Sequence, residues 1–301
     1  MPAPFCTEPD CSLDNCRVLL KRDVAYSRDG RPESFSSELR GCERCDMGFV
    51  NPVPGEDVLA CFYTGDYAYF QAEGEQQRIE ARSLKYKVAR LRYRNLLNRG
   101  LASRLASLSG ALVERLAGKT ITFTLGVPLT LPKDSRILDF GYGTGLWLLS
   151  MQLLGWSQLT GYDIASNAQR GEELASRGIQ VIPSGGLPDL PSASFDCVRL
   201  EHVFEHLADP LESLRSLHRL LRPGGLLLMT FPTIYPWLGI EDLAASPLVD
   251  YLHFPIHLAH HSVESAWRLV RAAGFEKIDS RITAREQFMT LAARKPANGE
   301  S

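Results

Sequence analysis

The stretch Arg136–Trp147 reads RILDFGYGTGLW. A strand-like run, RILDF, meets three glycines at alternate positions, Gly141, Gly143 and Gly145, and then an apolar helix, LWLLSMQLL, which Gly155 ends. Glycines between a strand and a helix let the backbone pass close to a ligand at the carboxyl end of a sheet. The next strand, ending LTGYD, finishes on Asp163, about 20 residues further on, where a carboxylate can accept both hydroxyls of a ribose. Asp139 ends the first strand beside the turn. It suits either a strand-end or capping carboxylate or a group that orients the charged amino group of a ligand. Two details argue against a pyrophosphate site: the spacing is G-x-G-x-G, not G-x-G-x-x-G, and the helix begins with the bulky Leu146 and Trp147.

Working outward, alternation of strands and helices continues. A polar helix, SNAQRGEELASRG, follows Asp163, then a short strand, IQVI, a loop with two prolines and the strand FDCVRL. The helix PLESLRSLHRLLRPGG feeds the strand LLLMTFP. This βαβαβ run predicts an α/β fold with a doubly wound, mostly parallel sheet. Near the end, the helix SVESAWRLVRAAGF precedes two strand-like runs, EKIDSRI and QFMTLAARK, spaced for an antiparallel hairpin.

Upstream the character changes. Five of the seven cysteines (Cys6, Cys11, Cys16, Cys42 and Cys45) fall in the first 45 residues, within a segment over 1–70 rich in Cys, Pro and Gly. In a reducing compartment such a cluster points to a metal rather than to disulfides, and a metal can replace a core in a small, loop-rich module. Cys42-x-x-Cys45 has the spacing for two thiolates on one tetrahedral zinc; Cys6, Cys11 and Cys16 are one more than a four-cysteine site needs. Residues 71–132 form a helical linker, with Leu101, Leu105, Leu108, Leu112 and Leu116 at helical spacing. From Arg78 to Lys119 eleven Lys or Arg residues face two acids, Glu80 and Glu114. That is either a solvated face or a surface for anionic lipid headgroups, phosphorylated substrates or nucleic acid. The expected division is therefore 1–70, 71–132 and 133–301.

The whole chain of 301 residues has 33 basic and 35 acidic side chains, a net charge of −2 that calls for no nucleic-acid partner. No apolar run approaches the ~20 residues that span a bilayer. MPAPFCTEPD lacks the basic and apolar regions of a secretory signal, so a cytoplasmic location is expected.

Taken together, these segments resemble the class I S-adenosylmethionine-dependent methyltransferases, in the branch with an N-terminal cysteine module. RILDFGYGTG resembles that family's first motif and LTGYDIA its second; SFDCVRLEHVFEHLADP, RLLRPGGLLLMTFP and HLAHHSVESAWRLVRAAGF are similar to later elements in the same order. CERCDMGFVNPVP and CFYTGDY resemble the lead-in. The resemblance implies a Rossmann-like sheet of seven strands, with S-adenosylmethionine as cofactor. Asp139, Gly141, Tyr142, Gly143 and Gly145 would lie around its methionine part and Asp163 and Ile164 at its ribose. Tyr142 stands where a small residue is usual, and its ring is expected to pack beside the pocket. The family's acid near the adenine has no clear match in PSGGLPDL, where Asp189 is one replacement and backbone around Gly186 and Leu187 another. The resemblance also implies Cys6 and Cys11 as the first zinc pair, completing a structural site with Cys42 and Cys45; Cys16 is the competing ligand.

Methyl transfer from a sulfonium is an in-line displacement, so the protein mainly aligns the partners. A hydroxyl or acidic-carbon acceptor also needs a general base, a role suited to histidine. His202 and Glu201 follow the fourth strand, lining the cofactor site or taking part in catalysis, and His257 precedes the last helix. His253, His260 and His261 read as loop histidines, and Tyr235 and Trp237 as acceptor-site walls or packing residues. The string HVFEH, His202–His206, is literally H-x-x-E-H, an inverted zinc-peptidase signature. A peptidase leaves the glycine turn and Asp163 unexplained, so Glu205 and His206 are expected to fix a short helix through hydrogen bonds. The expected function is methylation of an oxygen or carbon on a small molecule of sugar or natural-product type. The rival readings are an RNA methyltransferase gripping its substrate with the cysteine module and basic helices, and a non-catalytic binding protein.

Overall fold

The structure, a computed structural model, describes residues 5, 11–64, 131–153, 155–164, 168–233, 243, 252–282 and 288–297. The basic helical linker, Cys6, Tyr235 and Trp237 lie outside them. Two compact units emerge, one of Met1–Phe70 with Pro188–Ser301, the other Gln71–Leu187.

The described strands are β1 (Arg17–Arg28), β2 (Arg31–Cys42), β3 (Met47–Asn51), β4 (Arg136–Phe140), β5 (Gln158–Tyr162), β6 (Gln180–Ile182), β7 (Phe195–Glu201), β8 (Leu221–Pro232), β9 (Ala259–His261), β10 (Glu276–Ile282) and β11 (Phe288–Arg294). The described helices are α1 (Glu56–Thr64), α2 (Leu146–Leu153), α3 (Ala168–Ser176), α4 (Pro210–Leu220) and α5 (Val263–Ala272). Seven strands form a sheet in the order β10-β11-β8-β7-β4-β5-β6. β4, β5 and β6 are parallel, as are β7 and β8, while the closing β10–β11 hairpin is antiparallel. This is the doubly wound, Rossmann-like methyltransferase fold that the motifs imply.

In the unit Gln71–Leu187, β4 and β5 pair in register, Asp139 opposite Gly161. Both strands are buried beyond their first residue, the pattern of strands covered on two faces. Gly161 is required by packing: a Cβ there would lie 2.8 Å from Tyr142 Cδ1 and 2.9 Å from Leu148 Cδ1. Gly145, at φ +69°, likewise brings α2 close to α3, since a Cβ would lie 2.8 Å from Leu174.

In the other unit, α4 starts where Asp209 accepts the Glu212 N–H and Pro210 takes the first turn. α5 starts with a capping box between Ser262 and Ser265, and buries Ala266, Trp267, Leu269 and Val270. Residues 11–51 are more ordered than a loop-rich module: β1 and β2 form a hairpin of two 12-residue strands around Asp29 and Gly30, both left-handed. The Asp-Gly pair is the signal of this turn. The resulting four-stranded sheet, β1-β2-β3-β9, takes its last strand from residues 259–261.

Candidate functional site

At the end of β4 the chain turns through Gly141 (φ +82°), Gly143 (φ +50°) and Gly145 (φ +69°). The Gly141 N–H donates to the Tyr162 carbonyl at 2.7 Å, and the Gly143 N–H to the Asp163 carboxylate at 2.8 Å. The end of β5 thus holds the turn by backbone and by side chain. A Cβ on Gly143 would meet nothing within 4 Å, so the turn presents bare backbone to open space. Beside Asp163, the side chain of Ile164 is 69% exposed, an apolar surface of a kind that an adenosine can cover. A carboxylate with about four lone-pair sites can hold Gly143 and still accept ribose hydroxyls. These residues fit the cofactor that the motifs imply. Asp139 is fully buried, and Tyr142 is buried over Gly161 with its hydroxyl toward Gly171. Gly186 closes a tight turn through its N–H to the Pro183 carbonyl, with Leu187 half-buried beside it.

At the end of β7 stand Glu201 and His202. Glu201 forms an ion pair with the buried Arg199. His202 has left-handed backbone (φ +54°), uncommon for a non-glycine residue and often found at functional positions. Its N–H donates to the Thr230 carbonyl, its ring meets Phe288 edge-on at 5.2 Å, and its side chain is 45% exposed. Its Nδ1 lies 3.4 Å from Glu205 Oε1, and His257 Nε2 approaches the same oxygen at 4.0 Å. Burial, reinforced by His206, His260, His253 and His202, holds the His257 imidazole well below its ordinary pKa. His253 is lowered by burial, and burial brings His260 and His261 down to about 4 and about 3. His260 and His261 are therefore core histidines rather than solvated loop residues. The turn Phe204–His206 is a short 3-10 helix, which, among the described residues, His206 fixes by side-chain hydrogen bonds to the Ile256 carbonyl and Tyr63. Glu205 is fully buried and neither of its carboxylate oxygens has a hydrogen-bond partner, contrary to the role expected for it. A glutamate between two histidines in an apolar run carries no sequence signal of such burial.

The cysteine cluster is compact. Cys11 Sγ lies 3.8 Å from Cys42 Sγ and 3.2 Å from Cys45 Sγ, and the three could hold one metal ion. Cys16 packs in the same buried group with Met47, Phe49 and Ala259, and its thiol donates to the Ser12 carbonyl at 3.3 Å. Burial and mutual proximity push Cys11 up to about 12 and Cys16 to about 11, so these thiols ionise near neutral pH only with a cation among them.

A family model described as a methyltransferase domain matches residues 106–280, more than half the chain. A ubiquinone biosynthesis O-methyltransferase of Xanthomonas axonopodis pv. citri is 36% identical over 105 residues, 33% of this chain and 44% of that protein. An uncharacterized 37.1 kDa protein in a Streptomyces fradiae transposon is 34% identical over 109 residues, 34% of this chain and 31% of that protein. The chain thus spans less than half the length of these curated relatives. An S-adenosylmethionine-dependent methyltransferase from Mesorhizobium loti, a solved structure, superposes with a TM-score of 0.45 at 19% identity, over 55% of this chain and 93% of that one. With the domain match covering the glycine turn, Asp163 and the helix α5, the chain belongs to the class I S-adenosylmethionine-dependent methyltransferase family.

Proposed function

We propose that this protein transfers a methyl group from S-adenosylmethionine to a small-molecule acceptor, with a hydroxyl oxygen as the favoured atom. The observation that carries the reading is the glycine turn held by Asp163, with Ile164 exposed beside it. The likeness to ubiquinone biosynthesis O-methyltransferases supports an oxygen acceptor. When bound, the cofactor supplies a methyl carbon already activated by its sulfonium.

The chain has three tasks around that carbon. Gly141, Gly143 and Gly145 admit the methionine part against bare backbone; Asp163 accepts the ribose hydroxyls and Ile164 covers the adenosine, with Gly186 and Leu187 as the proposed adenine contacts. His202 takes the acceptor proton at Nε2, because its Nδ1 is turned toward Glu205 at 3.4 Å. We favour His202 over His257 as base, since the former ring is half-exposed and the latter buried. Glu201, engaged with Arg199, serves the site by position and not as a base.

The cysteine cluster supports a structural zinc, with Cys16 the fourth ligand beside Cys11, Cys42 and Cys45. Thiols in place of disulfides suit a cytoplasmic setting.

Titration calorimetry with S-adenosylhomocysteine tests the cofactor reading. Asp163→Ala removes hydrogen bonds to a charged group, each worth about 1.5–3 kcal/mol, so affinity should fall by roughly 100-fold or more. Unchanged affinity in this variant would refute the assignment. Because Asp163 also holds Gly143, Asp163→Asn, which keeps an acceptor for that N–H, separates turn distortion from lost ribose contacts.

A further inference from the structure

Among the described residues, Glu205 is a carboxylate at 0% exposure whose two oxygens accept no hydrogen bond. An unpaired buried carboxylate costs several kcal/mol. The charged or titratable neighbours that approach it are imidazoles: His202 Nδ1 at 3.4 Å and His257 Nε2 at 4.0 Å. One donor atom each from Glu205, His206 and His257 lies within 4.8 Å of the others. Side-chain adjustments of about an ångström bring three such atoms to the 2.0–2.2 Å bonds of a zinc ion.

The surroundings hold these groups in place. The Leu258 N–H donates to the Glu205 carbonyl at 2.8 Å, tying the 204–206 turn to the segment that carries His257. His206 Nδ1 lies 3.0 Å from the Ile256 carbonyl. A carbonyl only accepts, so Nδ1 bears the proton and Nε2 the lone pair. Metal-bound histidines are oriented in this way, with the second nitrogen donating to a backbone carbonyl.

We propose that Glu205, His206 and His257 hold a divalent transition-metal ion, zinc or one of its first-row neighbours. Two imidazoles and one carboxylate are a donor set for such ions. The cation satisfies the orphaned carboxylate, and three protein ligands leave a position for water or a ligand oxygen. His202, at the rim, hydrogen-bonds the coordinated carboxylate from outside and keeps the role of base. This is not the peptidase arrangement of HVFEH. There the two histidines share a helix face and the glutamate is free to act as a base. Here His202 is left-handed ahead of a 3-10 turn and Glu205 is itself a ligand.

Cobalt titration of the untagged, metal-free full chain distinguishes this site from the cysteines, because thiolate-bound cobalt has intense charge-transfer absorption and a nitrogen–oxygen site does not. Two equivalents are expected in the native protein, one with thiolate absorption and one without. Glu205→Gln and His257→Asn should each lose the second equivalent and keep the first. Saturation of the native protein at one equivalent with thiolate absorption would overturn the proposal, as would two equivalents in both variants. Should the variants not fold, X-ray absorption at the cobalt edge of the doubly loaded native protein decides. A second ion with a nitrogen–oxygen shell supports the site, and sulfur around both ions sinks it. One equivalent bound with no thiolate absorption would reject the cysteine site and leave this one standing.

Discussion

At the scale of the residue, Gly143 separates two kinds of glycine requirement. Its φ of +50° makes any Cβ a strained fit, at about 1–2 kcal/mol. Among the described residues, none beyond its chain neighbours comes within 4 Å of that Cβ, so packing against them adds nothing. Gly143→Ala should therefore lower urea-unfolding stability by about that amount. A methyl intruding on the cofactor should cost more than tenfold in S-adenosylhomocysteine affinity. Equal losses in calorimetry and denaturation would mean the methyl does not face the ligand. The glycines and Asp163 were legible because backbone approach and ribose binding each demand one residue type. Glu205 was not, because the segment that meets its turn, Leu258 at its carbonyl and His257 at its carboxylate, lies some fifty positions away. The fourth cysteine ligand is open for a related reason: spacing alone does not say whether Cys6 or Cys16 joins Cys11 beside Cys42 and Cys45.

At the scale of the element, β4, β5, β7, β8, α2, α4 and α5 lie where hydrophobic runs and caps place them. The β1–β2 hairpin does not announce itself, although Asp29-Gly30 is a strong turn signal. The stretch SRDGRPESFSSELR, which spans the turn and most of β2, has Phe35 and Leu39 as its large apolar residues, and much of β1 and β2 is exposed, so no regular apolar alternation marks the hairpin. The β4–β5 pair offers a test of packing without ligand chemistry. Gly161→Ala sets a Cβ against Tyr142 and Leu148 at 2.8–2.9 Å, and overpacking of this kind costs about 1–3 kcal/mol. Thermal unfolding should show a lower midpoint, and pairing with Tyr142→Phe, which leaves the ring in place, should not restore it. Tyr142→Ala in the same background should recover part of the loss. Recovery by neither Tyr142→Ala nor Leu148→Ala would place the strain elsewhere.

At the scale of the molecule, the sequence-derived order of motifs sufficed for the seven-stranded sheet, but not for the pairing of β3 with β9, which joins residue 47 to residue 261. Such long-range pairing has no local signature. Two predictions belong at this scale. If the cysteine cluster holds the proposed zinc, a chelator should lower the thermal midpoint of the native chain and leave a Cys42→Ser chain unmoved. The second concerns pH. Burial and the charge of Lys295 depress the His218 pKa, so the unfolded chain binds a proton that the folded one resists. This contribution is whole above the ordinary histidine pKa of 6.5 and declines as pH falls through it. Urea midpoints measured from pH 7.5 to 5 should fall less steeply in His218→Gln than in the native protein.

The central claim is that the turn Gly141–Gly145 and Asp163 hold S-adenosylmethionine, and a crystal structure with its demethylated product bound tests it most directly. In that structure the ribose hydroxyls should lie within hydrogen-bond distance of the Asp163 carboxylate, the methionine part over Gly141–Gly145, and the adenosine against Ile164. A product bound away from Asp163, or none bound at saturating concentration, would contradict it.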